Sequence, residues 1–363
     1  MRVGLLALTG LLFTAAALAE SDFEALVAET GIRPGDTPVR EAPRWQSPAR
    51  VVVRGTEETV AELAAAVPSF ELIPAPNLAA AIEAAADADA IVGYCNAELV
   101  EAAGKASWIQ LFSAGAEYCV ALGPVANGDI VLTNMQKMSS PVIGEHAMAM
   151  VLSLSRGLTQ FAKLMPSGTW DRSVADSANV APVADRTLLV VGLGGIGREV
   201  AKRAHALGMR VIATRNSSRE GPDYVDYVGL SDELHELAAR ADVVVNALPL
   251  TPATDGLLDE AFFAAVKPGA LYVSVGRGRT TVTSALIAAL ENGRLGGAGL
   301  DVTDPEPLPE DHPLWQFDNV LITPHMSGSG GGTARHRLLI RQNLERFARG
   351  DALYNVVEPT RGY

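Results

Sequence analysis

Cysteine is almost absent from this chain. Two residues in 363, Cys95 and Cys119, form no Cys-x-x-Cys pair and stand in no Cys/His cluster. That argues against a zinc site, and no other metal-ligand cluster is apparent. Basic charge is also short: 29 Lys and Arg against 42 Asp and Glu give a net charge of −13. Such a surface repels nucleic acid and anionic membranes. An anionic small molecule would therefore have to be met by individually placed cations, and each arginine near a glycine loop gains interest. No internal repeat or low-complexity tract breaks the chain. A serine-nucleophile elbow is missing too, because Ser327-Gly328-Ser329-Gly330 does not fit G-x-S-x-G.

What the chain does have is glycine after a strand. The apolar run Leu188-Leu189-Val190-Val191 enters Gly192-Leu193-Gly194-Gly195-Ile196-Gly197, and a helical stretch follows over 198–207. This is G-x-G-x-x-G in strand–turn–helix context, the dinucleotide-binding fingerprint. Gly192 permits the tight turn, Gly194 lets the backbone approach a pyrophosphate, and Gly197 lets helix and strand pack closely. Gly195 and Ile196 open the helix, whose free N–H groups and positive dipole end suit phosphate oxygens.

The rest of the chain alternates around that motif. Residues 23–48 carry four prolines and read as an irregular lead-in. Short apolar strands at 51–53, 71–73, 88–93, 108–112 and 130–133 are separated by helical stretches at 57–67, 78–86 and 97–103. One long helix is expected over 142–165. A second alternation places strands at 188–191, 211–214, 243–247, 271–275, 299–302 and 320–322, with helices at 196–207, 233–241, 260–266 and 284–291. An amphipathic helix over 333–350 is expected to return to the first domain. These are βαβ units, so the predicted class is α/β, with two doubly wound parallel-sheet domains. Ligands in such folds sit beyond the carboxyl ends of strands. Three loop residues there stand out: Arg277, Glu306 and His325. Taken singly, each reads equally well as an ion-pair partner, a solvated turn residue and a loop histidine.

Taken together they carry a resemblance. Gly192 to Gly197, Val275-Gly276-Arg277-Gly278, Gly299-Leu300-Asp301-Val302 with Glu306-Pro307, and Thr323-Pro324-His325 stand in one order, with Arg277 and Glu306 29 residues apart. They resemble the D-isomer-specific 2-hydroxyacid dehydrogenase family, in particular its glyoxylate/hydroxypyruvate reductases. Gly144-Glu145-His146-Ala147 looks like the start of that family's inter-domain helix, and Asn246 to Pro252 like its loop beside the nicotinamide. Trp315 and the ending 353–357 also fit, so the resemblance covers roughly residues 88–363. It implies a flavodoxin-like substrate domain over 20–152, a Rossmann NAD(P)-binding domain over 153–323, and a C-terminal segment over 324–363. It also implies a homodimer.

The chemistry justifies the residue types. Reducing a small 2-oxo acid to its D-2-hydroxy acid requires a proton for the carbonyl oxygen as hydride arrives, a task suited to His325. Glu306 would orient that imidazole and favour its charged form. Arg277 offers a planar charged fork for the substrate carboxylate. The resemblance further implies cofactor contacts at Leu248, Pro249, Val275 and Gly276, with Asp301 holding the nicotinamide carboxamide. It places the substrate carboxylate on backbone N–H groups of Ser113, Ala114 and Gly115, with Tyr94 as a wall. Formate dehydrogenases share the fold but use glutamine where Glu306 stands, which argues against formate. A non-catalytic dinucleotide sensor, akin to corepressors that resemble the family, is the alternative.

Cofactor choice is read after the second strand of the nucleotide domain. NAD enzymes place an acid there; this chain has Arg215-Asn216-Ser217 and no carboxylate until Glu220. Arginine with small hydroxyls suits a 2′-phosphate, so NADP is expected over NAD. After His325 the chain departs from the family with a glycine-rich stretch, 326–332, read as a flexible segment beside the site. At the other end, Arg2, an apolar run to residue 19 and Ala17-Leu18-Ala19 read as a secretory signal over 1–19. Rivals are a membrane anchor and a misassigned start. No twin-arginine pair is present, so export would move unfolded chain, at odds with a cytoplasmic cofactor pool. Localisation therefore stays open between periplasm and cytoplasm. An exported chain could join Cys95 to Cys119; otherwise they are two half-buried thiols.

Overall fold

A computed structural model describes residues 20–47, 50–177, 180–329 and 333–358. The signal expected over 1–19 and the glycines at 330–332 lie outside the described residues. Contacts divide the chain into two units, Met1–Met138 with Gly332–Tyr363, and Ser139–Gly331.

In the first unit, β1 (Arg50–Arg54), β2 (Glu71–Ala75), β3 (Ala90–Val92), β4 (Trp108–Gln110) and β5 (Val131–Thr133) form one parallel sheet in the order β2-β1-β3-β4-β5. This is the flavodoxin-like order. Val51, Val52, Ile91, Ile109 and Trp108 are fully buried, as expected of parallel strands covered on both faces. The helix Thr333–Arg349 closes one face: Leu339, Leu344 and Phe347 are fully buried, and Phe347 lies 5.0 Å from the Trp108 ring. Behind it, the Val357 amide donates to the Leu132 carbonyl at 2.8 Å.

The expected irregular lead-in is corrected in part. Residues 20–30 are helical and bury Phe23 and Leu26. The prolines begin only at Pro34, so nothing earlier opposes a helix. Cys95 and Cys119 are joined in a disulfide with Cα atoms 6.0 Å apart. It ties the loop after β3 to the helix Glu117–Val120, just beyond the 113–115 loop.

In the second unit, β6 (Thr187–Val191), β7 (Arg210–Arg215), β8 (Tyr227–Leu230), β9 (Val243–Asn246), β10 (Ala270–Ser274), β11 (Leu295–Leu300) and β12 (Val320–Ile322) pair in parallel in the order β12-β11-β10-β9-β6-β7-β8. That is the Rossmann order with one extra strand. β8 has no counterpart in the sequence reading: it is a short edge strand, half exposed, with Gly229 among its four residues.

The long helix expected over 142–165 breaks in two. Gly157 takes the left-handed conformation at φ +62, ending Ser140–Ser155 before Leu158–Leu164 starts. The first of these helices packs against Gly195–Ala206 and the nucleotide sheet, burying Ala147, Met150, Val151 and Leu154. The contact boundaries fall at 138/139 and 331/332, and the loop after β12 is bound to Asp301 of the second unit.

Candidate active site

The carboxyl ends of β6 and β9 flank the point where the strand order reverses, the position at which doubly wound sheets take ligands. Gly192 turns there at φ +96. A Cβ at Gly197 would collide with the Gly192 carbonyl oxygen, so the helix Gly195–Ala206 lies directly on its strand. A Cβ built at Gly194 would meet nothing within 4 Å. That open space lies at a helix N-terminus with no acid in its first turn and no capping side chain. The arrangement fits a dinucleotide pyrophosphate, with Gly194, Gly195, Ile196 and Gly197 as its cradle.

Arg215 ends β7 and donates from Nη1 to the Glu220 carbonyl at 2.8 Å. This curls the 215–220 loop and leaves Asn216 and Ser217 exposed at its tip. Arg219 on the same loop pairs with Glu233 at 2.7 Å. Arg219, the Tyr227 hydroxyl and the Leu230 amide hold the Glu233 carboxyl down to about 2.

The next two loops are set by a buried polar network. Asn246, fully buried at the end of β9, donates to Thr280 Oγ1 at 2.8 Å and reaches Tyr272 and Ser274 at 3.2 Å. Its own oxygen accepts from the Leu248 amide at 3.1 Å, which fixes Leu248 and Pro249. Thr280 in turn donates to the Arg277 carbonyl at 2.7 Å. Burial pushes the Tyr272 phenol up, so it serves as a neutral strut. Val275, Gly276 and Arg277 are thus held on a satisfied framework after β10. Sequence reasoning named Asn246 only as the start of the loop to Pro252 and missed its role as the hub of this network. The available signal was a polar residue closing the apolar strand Val243-Val244-Val245, where burial demands partners.

The last two loops bring Glu306 and His325 together. His325 Nδ1 lies 2.5 Å from Glu306 Oε1, and both side chains are open to solvent. With Nδ1 committed to the carboxylate, Nε2 is the free ring nitrogen. His325 stands at φ +50, uncommon for a residue with a Cβ. It is held there by its amide, which donates to the Asp301 carbonyl at 2.8 Å. The Asp301 carboxylate accepts from Thr323 Oγ1 at 2.6 Å and from the Met326 and Ser327 amides at 2.8 and 3.0 Å. Burial alone would raise this carboxyl, but bonds from Ser327, Thr323 and Met326 outweigh it and hold it below the usual range. Asp301 therefore organises the loop that carries His325.

Arg277, Glu306, His325, Asp301 and the cofactor candidates all belong to the second unit. Tyr94, Ser113, Ala114 and Gly115 belong to the first, after β3 and β4. There the Tyr94 hydroxyl donates to the Ala75 carbonyl at 3.2 Å, and Arg54 lies 5.2 Å over its ring. The 113–115 loop is pinned by Asn134 Nδ2, which donates to the Ala114 carbonyl at 2.7 Å, and by the Met135 amide, which donates to Ser113. Among the described residues, no group of three or more His, Cys, Asp or Glu could hold a metal ion.

Residues 148–327 match the family model for the NAD binding domain of the D-isomer specific 2-hydroxyacid dehydrogenases. Glyoxylate/hydroxypyruvate reductase B of Klebsiella pneumoniae is 33% identical over 234 residues, 63% of this chain and 72% of that protein. The chain belongs to the D-isomer specific 2-hydroxyacid dehydrogenase family. An uncharacterized protein of Corynebacterium melassecola is 40% identical over 182 residues, and the chain spans 59% of its length. Among solved structures, an NADPH-dependent glyoxylate/hydroxypyruvate reductase of Sinorhizobium meliloti, in complex with NADP and sulfate, is 27% identical with a TM-score of 0.74. That match covers 87% of this chain and all of the other. The family's NAD binding domain as matched here opens inside the helix Ser140–Ser155 and closes two residues past His325.

Proposed function

We propose that this dehydrogenase interconverts a small 2-oxo acid of the glyoxylate or hydroxypyruvate type and its D-2-hydroxy acid, with NADP preferred over NAD. The observation that carries this reading is the His325–Glu306 pair at 2.5 Å, on the same unit and beyond the same sheet edge as the glycine cradle. A reduced nicotinamide bound on the glycine cradle would supply a hydride to the carbonyl carbon. His325 delivers the proton to the carbonyl oxygen from Nε2, while Glu306 holds Nδ1 and fixes the ring. Arg277 binds the carboxylate and draws charge toward the reacting oxygen. The family resemblance also assigns substrate binding to the backbone N–H groups of Ser113, Ala114 and Gly115 and to Tyr94, on the first unit. The family resemblance assigns the carboxamide to Asp301, whose carboxylate is enclosed here by Thr323, Met326 and Ser327. Arg215, Asn216 and Ser217 meet the 2′-phosphate.

The sensor alternative has no feature of its own in its favour. Leu158, Met165 and Trp170 are exposed in one short stretch of the second unit, Met165 at 78% and Trp170 at 93%. Such a stretch supports association with a second copy. The disulfide supports maturation in an oxidising compartment, in line with a signal over 1–19. A panel of 2-oxo acids with NADPH and NADH tests the reading. Oxidation of NADPH by glyoxylate or hydroxypyruvate is expected, with loss of about a thousandfold in His325→Gln. No oxidation with any 2-oxo acid, or full activity in His325→Gln, would overturn it.

A further inference from the structure

His146 is the second histidine near this chemistry, and the proposed mechanism does not use it. It lies on the helix Ser140–Ser155, in Gly144-Glu145-His146-Ala147. Its Nε2 stands 3.0 Å from Thr323 Oγ1 and 3.8 Å from Asp301 Oδ1, and its side chain is mostly buried. The direction of these bonds follows by elimination. A hydroxyl has one proton, and that of Thr323 goes to Asp301 at 2.6 Å. Asp301 is a carboxylate and only accepts. Thr323 Oγ1 must therefore accept from His146, so Nε2 of His146 carries a proton.

The hydrogen-bonded chain then runs from His146 through Thr323 to the accepting carboxylate of Asp301. From the Asp301 carboxylate it reaches the Met326 and Ser327 amides, and the Asp301 carbonyl receives the His325 amide. The residue at its far end, His325, is in the disfavoured left-handed conformation. A strained conformation persists only where its surroundings over-determine it. The helix bearing His146 is itself fixed against the nucleotide side of the unit. A Cβ at Gly144 would stand 2.7 Å from the Glu199 side chain, so the backbones of Ser140–Ser155 and Gly195–Ala206 are in close approach. One helix thus touches the pyrophosphate-binding helix through Gly144 and the proton-donor loop through His146.

We propose that His146 is a positioning residue for the reduction, holding the loop of His325 in register with the cofactor-binding helix by donating to Thr323. This rests on the reading of His325 as proton donor. The test uses the full chain with His146→Ala, His146→Gln and His325→Gln. Gln at 146 keeps an N–H donor where Nε2 stands; Ala keeps only the helix. In His146→Ala, kcat falls about tenfold, the size of one net hydrogen bond, while KM for the cofactor is unchanged. Amide exchange at Met326 and Ser327 accelerates about tenfold by the same reasoning. His146→Gln returns both to within roughly threefold of the parent. Unchanged exchange and kcat in His146→Ala would overturn the proposal, and so would a His146→Gln variant as impaired as His146→Ala. If His325→Gln is inactive while His146→Ala matches the parent, the positioning role alone fails. If the parent reduces no 2-oxo acid, the reading of His325 fails, and amide exchange still decides whether His146 holds the loop.

Discussion

Reducing the Cys95–Cys119 disulfide should weaken the first unit and spare the second. The bond closes a segment of 24 residues that includes β4 and the 113–115 loop. Restricting the unfolded chain over that length contributes about 3–4 kcal/mol on the chain-entropy account. Cys119 is fully buried beside Leu99, Ile109, Ala116 and Val125, so little of the contribution is lost to solvent at that end. In a unit of this size 1 kcal/mol moves the melting midpoint by roughly 2–4 °C, which puts the expected drop at roughly 6–16 °C. Calorimetry with and without a dithiol reductant reads it, with alkylation and intact mass confirming that both thiols are blocked before and free after. The second unit holds neither cysteine, so its transition serves as the internal control. Cys95→Ser with Cys119→Ala should melt at the reduced midpoint and ignore the reductant. A shift below about 2 °C with both thiols free would refute the reasoning, since it would mean the folded contacts alone fix this segment.

Three other outcomes are expected. Arg215→Asp should weaken NADPH and improve NADH, because it replaces a phosphate partner with an acceptor for a ribose hydroxyl; an unchanged preference in steady-state kinetics would remove Arg215 from cofactor choice. Gly197→Ala should abolish measurable dinucleotide binding by fluorescence titration and cost about 1–3 kcal/mol, because its methyl group meets the Gly192 carbonyl; normal affinity would mean the helix can slide. Asp301 has its native carboxyl value lowered, so its stabilising contribution is complete above about pH 4 and is lost as pH falls through the native value. Asp301→Asn should therefore flatten the acid side of a stability–pH profile for the second unit and lower its stability by about 1–3 kcal/mol at neutral pH, and parallel profiles for parent and variant would sink this account.

Much of the fold was legible because parallel strands buried on both faces read as apolar runs whatever surrounds them. Val51 to Val53, Leu188 to Val191 and Val243 to Val245 needed no tertiary context. The turn glycines were legible for a related reason: Gly192 and Gly197 answer to backbone sterics next to them in sequence. One edge strand was not. Tyr227–Leu230 has two buried residues, one of them a glycine, and only its neighbour β7 makes it a strand. The break at Gly157 was hidden because an isolated glycine in an apolar helical pattern is ambiguous until packing selects the left-handed conformation.

The site divides in the same way. Sequence alone determined which groups can do the chemistry, since a guanidinium, a carboxylate and an imidazole are properties of single residues and their order along the chain. Only the tertiary structure decided which of them meet and what holds them. Arg277 stands on the Asn246 network, His325 leans on Glu306, and His146, Thr323 and Asp301 join in one hydrogen-bonded chain because β6, β9, β10, β11 and β12 end along one edge of one sheet. Hydrogen-bond direction and backbone strain depend on distances of a few tenths of an ångström between residues up to 177 positions apart, and no local pattern encodes those.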